Sequence, residues 1–394
     1  MRISQRAERT RTSITLALSA RAKQLRAVGR DVVDMSVGEP DRPAPAAVTA
    51  AARALVDTGA VRYTPAAGTP ELRAALAAHV TATRGVSYAA EQIWVGHSAK
   101  HALSAACLAL FDPGDRLLLP QPGWVSYDEM AAICGLEPVQ VPGGAGGAPD
   151  LDALEREAAR GAASLWINTP SNPTGYVWSR DEVKGAVEIA ERHDLVIVSD
   201  EIYRRLVYGE RDFTSPVEVD PRAAERTVIV DGASKAYCMT GYRIGFAAGP
   251  KDAIVALTRI GSQLNGSPNA VSQAAYLAAL TEEPPEVAEM VAVYRARRDR
   301  LCAGLRALGL DFPTPHGAFY LLPDVRAWIE RADASIDDER ALCEALLEDE
   351  ALVLVPGSAF GAPGHVRLSY AIPEERIDAA VERLRRFADA RGLR

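Results

Sequence analysis

Short runs rich in valine, isoleucine and leucine alternate with helical patterns through the middle of the chain, and this rhythm constrains the fold more than any other feature. Ile93-Trp94-Val95, Arg116-Leu117-Leu118-Leu119, Ser164-Leu165-Trp166-Ile167, Leu195-Val196-Ile197-Val198 and Thr227-Val228-Ile229-Val230 read as short buried strands. Helical patterns such as Ala99 to Phe111 and Asp181 to His193 lie between them. This is the βαβ signature of a mostly parallel sheet flanked by helices. At 394 residues the chain has room for two domains or one elaborated domain. After Pro284-Pro285 the pattern predicts a long amphipathic helix over Glu286 to Leu308. Strands are expected over Gly317 to Leu322, Leu352 to Val355 and Val366 to Ala371, with a closing helix near Glu374 to Ala390. The expected fold class is α/β. Residues 43–284 would form a large domain around the sheet, and 285–394 a smaller α+β domain joined by an N-terminal arm, residues 1–42.

A formal charge of −8 and a pI near 5.5 argue against a nucleic-acid or anionic-membrane partner, while leaving room for a local basic pocket. No apolar run approaches the ~18 residues needed to span a bilayer. Ile14 to Ala20 has the outline of a short signal peptide, but Arg21, Lys23 and Arg26 follow at once, so it reads as an arm leading into an amphipathic helix. Cys107, Cys134, Cys238, Cys302 and Cys343 are odd in number and contain no C-x-x-C pair, a pattern that suits free thiols in a reducing, cytoplasmic setting. Gly143 to Gly147 is expected to be a flexible loop; it lacks the strand-turn-helix context of a dinucleotide fingerprint.

In open α/β sheets ligands collect beyond the carboxyl ends of the strands, and polar groups stand there after four of these runs. Gly96-His97-Ser98-Ala99-Lys100 opens a helix, where exposed amides favour a phosphate. A turn-rich segment, Asn168 to Gly175, fixes Asn172; Ser199-Asp200-Glu201-Ile202-Tyr203 follows the next run. Gly232-Ala233-Ser234-Lys235 follows the last, with Arg243 eight positions beyond the lysine. Singly, Asp200 could be a cap, Asn172 a turn former and Arg243 a surface ion-pair partner. Together they supply what a pyridoxal phosphate site requires. Lys235 offers a Schiff-base amine, Asp200 a carboxylate for the pyridine nitrogen, Asn172 and Tyr203 donors to the ring hydroxyl, and Trp124 a stacking face. Ser98, Ala99, Ser234 and Arg243 would form the phosphate cup.

Val37-Gly38-Glu39-Pro40-Asp41, Tyr63-Thr64-Pro65-Ala66-Ala67-Gly68, Asn172-Pro173-Thr174-Gly175, Ser199 to Tyr203, the Ser234-Lys235 loop and Val366-Arg367-Leu368-Ser369-Tyr370 occur in collinear order over nearly the whole chain. In this the chain resembles the fold-type I, class I pyridoxal-phosphate-dependent aminotransferases, most of all the bacterial aspartate aminotransferase subgroup. The resemblance implies that Gly38 and Arg367 hold the substrate α-carboxylate, assisted by Asn172, with Trp124 bordering the substrate. It implies that Tyr63 reaches the cofactor phosphate of a neighbouring subunit, hence a homodimer. Lys235 would shuttle a proton between the substrate α-carbon and the cofactor. Lys100 would pair with an acidic substrate side chain, near Ser13 and Thr15, or else support the phosphate. Aspartate or glutamate, and prephenate as a further case, are the implied substrates, with a 2-oxo acid as acceptor. The chain departs from the subgroup at Asp41-Arg42-Pro43-Ala44-Pro45, at Gln121-Pro122-Gly123-Trp124, which lacks an aromatic just before the tryptophan, and at His97.

Three other readings are weighed. The same cofactor and fold support β- or γ-elimination, replacement or a specialised biosynthetic step. A non-catalytic regulator would need a DNA-binding module, and some forty residues before Val37 with an acidic composition do not suit one. His97 and His101 are spaced like a metal pair but lack an acidic third ligand at helical spacing, so no metal is expected.

Overall fold

The computed structural model describes residues 1–10 and 14–393. Among them twelve strands are formed. In chain order they are β1 (Val33–Asp34), β2 (Ile93–Gly96), β3 (Arg116–Pro120), β4 (Glu137–Val141), β5 (Ser164–Asn168) and β6 (Val196–Asp200). There follow β7 (Thr227–Gly232), β8 (Gly245–Ala248), β9 (Tyr320–Leu321), β10 (Leu352–Val353), β11 (Val355–Pro356) and β12 (Val366–Ser369). Seven of them make one sheet in the order β2-β8-β7-β6-β5-β3-β4. β8 runs antiparallel to both its neighbours and the remaining pairs are parallel.

The continuous apolar runs reflect burial on both faces. In β5, Leu165 and Ile167 pack with Leu154, Val183 and Val187, whereas Trp166 between them packs into the cluster containing Leu103 and Tyr127. The helix Arg180–Arg192, which returns the chain from β5 to β6, starts at a reciprocal cap. Ser179 Oγ accepts the Glu182 amide at 3.2 Å, and Glu182 Oε2 accepts the Ser179 amide at 2.6 Å.

Two smaller sheets join distant parts of the chain. β1 pairs with β10, and β11-β12-β9 form an antiparallel set. The Ser369 amide donates to the Met35 carbonyl at 2.8 Å, so the segment that carries Ser36 and Gly38 runs alongside β12. The long helix is Pro285–Ala307 and the closing one Glu374–Arg391.

Some expectations need correction. Gly143 to Gly147 is no open loop: Gly143 bridges Pro149, and the Gly144 amide donates to the Ala148 carbonyl at 2.8 Å. The run Leu352 to Val355 is two strands, β10 and β11, serving different sheets. The two-residue β1, together with β4 and β8, is not among the expected strands. Glu137 and Gln140 are exposed on β4, which blunts its apolar signal, and β8 is only Gly-Phe-Ala-Ala.

Glycines stand opposite one another across three strands: Gly96 against Gly245, and Gly245 against Gly232. A Cβ on Gly245 would lie 2.5 Å from the Ser98 carbonyl carbon and even nearer the Ala99 nitrogen. Only a bare backbone lets β8 pass under the start of helix Ala99–Leu110. Gly245→Ala should therefore cost about 1–3 kcal/mol or more, because two backbones must separate. Thermal melting measures this, and an unchanged Tm would contradict the close packing.

Candidate active site

The sheet delivers its polar groups to one edge. Asp200 ends β6 opposite Asn168 at the end of β5. Its buried carboxyl group accepts the Tyr127 hydroxyl at 2.6 Å and the Ile202 amide at 3.3 Å. Burial raises the Asp200 pKa to about 6 despite those hydrogen bonds, with Asp231 and Glu201 adding to the rise. Burial and the adjacent Asp200 hold the Tyr127 hydroxyl well above its usual range, so it remains a donor.

Lys235 lies in the helical turn Ala233–Ala236 directly after β7. Its amine donates to the Gly38 carbonyl and sits 5.8 Å from the centre of the Phe319 ring. Burial lowers its pKa to about 8; Arg243 and Arg367 push the same way, while Glu39 and Asp200 oppose them. A partly neutral amine near pH 8 is a competent nucleophile and base.

Arg367 on β12 is a buried cation without a carboxylate partner among the described residues. It donates to Asn172 Oδ1 at 3.0 Å and to the Ser36 carbonyl at 2.8 Å. The guanidinium lies between two rings, 4.5 Å from the centre of Tyr320 and 4.7 Å from that of Phe360. Its Nε is buried without a hydrogen-bond partner. The Tyr320 hydroxyl meets that of Tyr203 at 2.9 Å, and a Cβ on Gly38 would come within 3.0 Å of it. Lys235, Gly38, Asp200, Tyr203, Asn172 and Arg367 thus form one continuous group.

A second group adjoins it. Ser98 caps helix Ala99–Leu110, its Oγ accepting the His101 amide at 3.1 Å, and buried Ala99 opens that helix. Ser234 follows Gly232 and Arg243 precedes Gly245, so the register of β7 with β8 sets them at the same end of the sheet. Arg243 gives one N–H to the Thr240 carbonyl at 2.9 Å and has no carboxylate partner among the described residues. Lys100 donates to Ser126 Oγ at 3.1 Å and lies 4.7 Å from the centre of the Trp124 ring. Partial burial of its amine and the nearby Arg243 charge lower its pKa. Trp124 stands edge-on to Tyr127 at 5.3 Å. His101 Nδ1 accepts the His97 amide at 3.0 Å, so one ring nitrogen of this histidine pair serves the turn.

Tyr63 joins neither group within the protomer, being 99% exposed. Its segment is nonetheless anchored, for Gln273 bonds Thr64 Oγ1 at 2.9 Å and the Thr69 amide at 2.8 Å. Ser13 lies outside the described residues; Thr15 falls in helix Ile14–Ala27. Sequence reasoning missed Tyr127, Tyr320, Phe360 and Ser36. Tyr127, three positions after Trp124, carried a weak signal; the other three are set by tertiary contacts alone.

The chemistry of the site suits pyridoxal phosphate. It offers a buried carboxyl group for a ring N–H, an amine of lowered pKa for an aldehyde, and a bare-backbone floor beside a helix N-terminus and Arg243 for a phosphate. A separate buried guanidinium is left for a carboxylate.

Comparison with known proteins gives the class. The family model for aminotransferase class I and II matches residues 30–384. The aspartate/prephenate aminotransferase of Thermus thermophilus is 41% identical over 389 residues, covering 98% of each chain. That of Cereibacter sphaeroides is 38% identical over 392 residues, again covering 98% of each. Among solved structures, the aspartate aminotransferase from Thermus thermophilus with maleate matches at a TM-score of 0.92 and 41% identity, covering 98% of this chain and 100% of that one. The aspartate aminotransferase from Rhizobium meliloti matches at 0.95 and 34% identity, covering 99% of each. The chain belongs to the class I and II aminotransferases, with the fold-type I architecture. It is a pyridoxal-phosphate-dependent enzyme that moves an amino group between an amino acid and a 2-oxo acid, and elimination or replacement is not favoured.

The Asp200 shift has a signed consequence for the cofactor-free protein. A carboxyl pKa raised from 3.8 to about 6 means that the folded state binds the proton more tightly, so stability falls as pH rises from about 4 to 6. Asp200→Asn should remove that slope and make the cofactor-free protein more stable at pH 7, by at most about 3 kcal/mol. Denaturant melts at pH 4 and 7 test this; an unchanged slope would show that Asp200 is not held this way.

Proposed function

We propose that the enzyme acts on dicarboxylic amino acids, aspartate and glutamate, as a cytoplasmic homodimer. Residues 43–284 would form the cofactor-holding domain, and 285–394 with 1–42 the smaller one. The amino-acid part of this reading is carried by Arg367, a buried guanidinium held by Asn172, the Ser36 carbonyl and two rings, with no carboxylate partner among the described residues, and the dicarboxylic part by Lys100, a partly buried amine beside Trp124. Such a group is costly to bury unpaired, and a substrate α-carboxylate bound by its fork would offset that cost. Lys100 and Arg243 likewise carry positive charge near one another, which suits two further anions: the substrate's distal carboxylate at Lys100, beside Trp124, and the cofactor phosphate at Arg243. Two relatives named aspartate/prephenate aminotransferases support the dicarboxylate reading.

When bound, pyridoxal phosphate supplies an aldehyde carbon that condenses with amines and a ring that withdraws electrons from the substrate α-carbon. Asp200 would keep the ring nitrogen protonated, the opposite charge favouring its own ionised form. Asn172 and Tyr203 would orient the ring hydroxyl, and Trp124 would cover one face. Ser98, the Ala99 amide, Ser234 and Arg243 would hold the phosphate, with Lys100 lending charge at its margin. Gly38 leaves room for the α-carboxylate on Arg367. Lys235 Nζ would hold the aldehyde carbon at rest and, once displaced from it by the substrate amine, would be the free base that takes the proton from the substrate α-carbon and returns it to the cofactor side. Tyr63, exposed on an anchored segment, would complete the phosphate site of a second copy, which supports the dimer.

Two experiments test the substrate assignment. Adding aspartate or glutamate to the holoenzyme should convert its visible spectrum to that of the pyridoxamine form and release an oxo acid; no conversion with either would reject it. Lys100→Ala should lower kcat/KM for dicarboxylic substrates by roughly 10–100-fold while sparing alanine or aromatic amino acids, as befits loss of one charged hydrogen bond. Uniform loss across substrates would return Lys100 to the phosphate.

A further inference from the structure

Behind the site lies a buried group of charges that the proposed reaction does not use. Arg84, the last residue of helix Pro70–Arg84, is 1% exposed. Its Nε and Nη2 reach Glu201 Oε2 at 2.9 and 2.6 Å, and Nη2 also reaches Asp231 Oδ2 at 3.1 Å. Arg204 Nε donates to the same Asp231 oxygen at 2.9 Å, and its Nη2 contacts His79 Nε2. The other carboxylate oxygens are also engaged. Glu201 Oε1 accepts Ser215 Oγ at 2.6 Å and Ser199 Oγ at 3.1 Å, and Asp231 Oδ1 accepts the Gly232 amide at 2.7 Å. Burial and the Arg204 charge lower His79 to about 3, so it stays neutral, and two guanidiniums balance two carboxylates.

A buried ion-pair group of this kind is weak evidence for stability, since well-packed apolar residues often do as well. Its place is more telling. Glu201 adjoins Asp200, and Asp231 lies on β7, four residues before Lys235. The Glu201 amide also donates to the Val230 carbonyl at 2.8 Å, so the two strand ends are already in register where Arg84 spans them. We propose that Arg84 is a positioning residue: by bridging Glu201 and Asp231 it fixes the ends of β6 and β7, and with them the distance between Asp200 and Lys235. This rests on the assignment of those two residues to opposite ends of the cofactor ring. Asp200 is otherwise faced by Tyr127 from helix Ser126–Cys134, by Tyr203 from the turn after β6 and by Lys235. Glu201 and Asp231 complete its charged surroundings, and Arg84 and Arg204 offset their charge.

The test uses the charge-balanced variant Arg84→Met/Glu201→Gln, which keeps the Arg204–Asp231 pair and leaves no uncompensated carboxylate. It should melt cooperatively yet bind pyridoxal phosphate about tenfold more weakly, the scale on which residues that orient the ligands of a bound group act. Amides 232–236 of the cofactor-free protein should exchange hydrogen faster than in the parent. Arg84→Lys, which keeps the charge without the fork, should fall between the two. Arg84→Met alone leaves two carboxylates to one guanidinium and should move the pH titration of the bound cofactor's absorption. A folded double variant with parental cofactor affinity and exchange would overturn the proposal. If the double variant does not fold, Arg84→Lys decides, and parental cofactor affinity there would overturn it equally. Lys235→Ala is the control: if it keeps the lysine-linked visible band, the assignment of the site fails, whatever the Arg84 variants do.

Discussion

A carboxyl group buried at the end of a parallel strand carries its charge at a cost that a cation offsets, and the site is arranged around that constraint at Asp200. Two hydrogen bonds from Tyr127 and Ile202 favour the charged form, yet burial outweighs them and the pKa rises to about 6. In the proposed reaction its partner is a ring nitrogen that carries a proton. On the far side of the site the same burial acts with opposite sign on Lys235, lowering its amine to about 8. One desolvated edge therefore prepares an acid and a base for the same ligand, and binding relieves the strain on both.

The second requirement of the proposed reaction is that the substrate's carboxylate meet Arg367, which comes from a different sheet. The backbone accomplishes this. Ser369 accepts no freedom of register once its amide is tied to Met35, and the Met35 segment carries Ser36, whose carbonyl holds Arg367, and Gly38, whose carbonyl holds Lys235. Residues some three hundred positions apart thus share one small volume. The proposed α-carboxylate contact and the proposed reactive amine are set by a single short stretch of chain.

Much of this was legible in the sequence, for physical reasons. Strands buried on both faces must be apolar throughout, so β3, β5, β6 and β7 stood out, whereas β8, short and built of small residues, did not. Asp200, Asn172, Lys235 and Ser98 were findable because each follows such a run directly. Tyr320 and Phe360 were not, because what makes them matter is the guanidinium between them, a contact that no local pattern encodes. Arg84 was hidden for the same reason: an arginine ending a helix looks solvated until Glu201 and Asp231 are seen to enclose it.

The central claim is that Lys235 carries the cofactor, and the chain's composition makes it easy to test, since the sequence holds only five lysines. Borohydride reduction of the holoenzyme followed by peptide mass spectrometry would fix the cofactor to the lysine that holds it. The account predicts the mass of one reduced pyridoxyl phosphate group on the peptide containing Lys235. The same mass on Lys100 or any other lysine, with Lys235 unmodified, would contradict it.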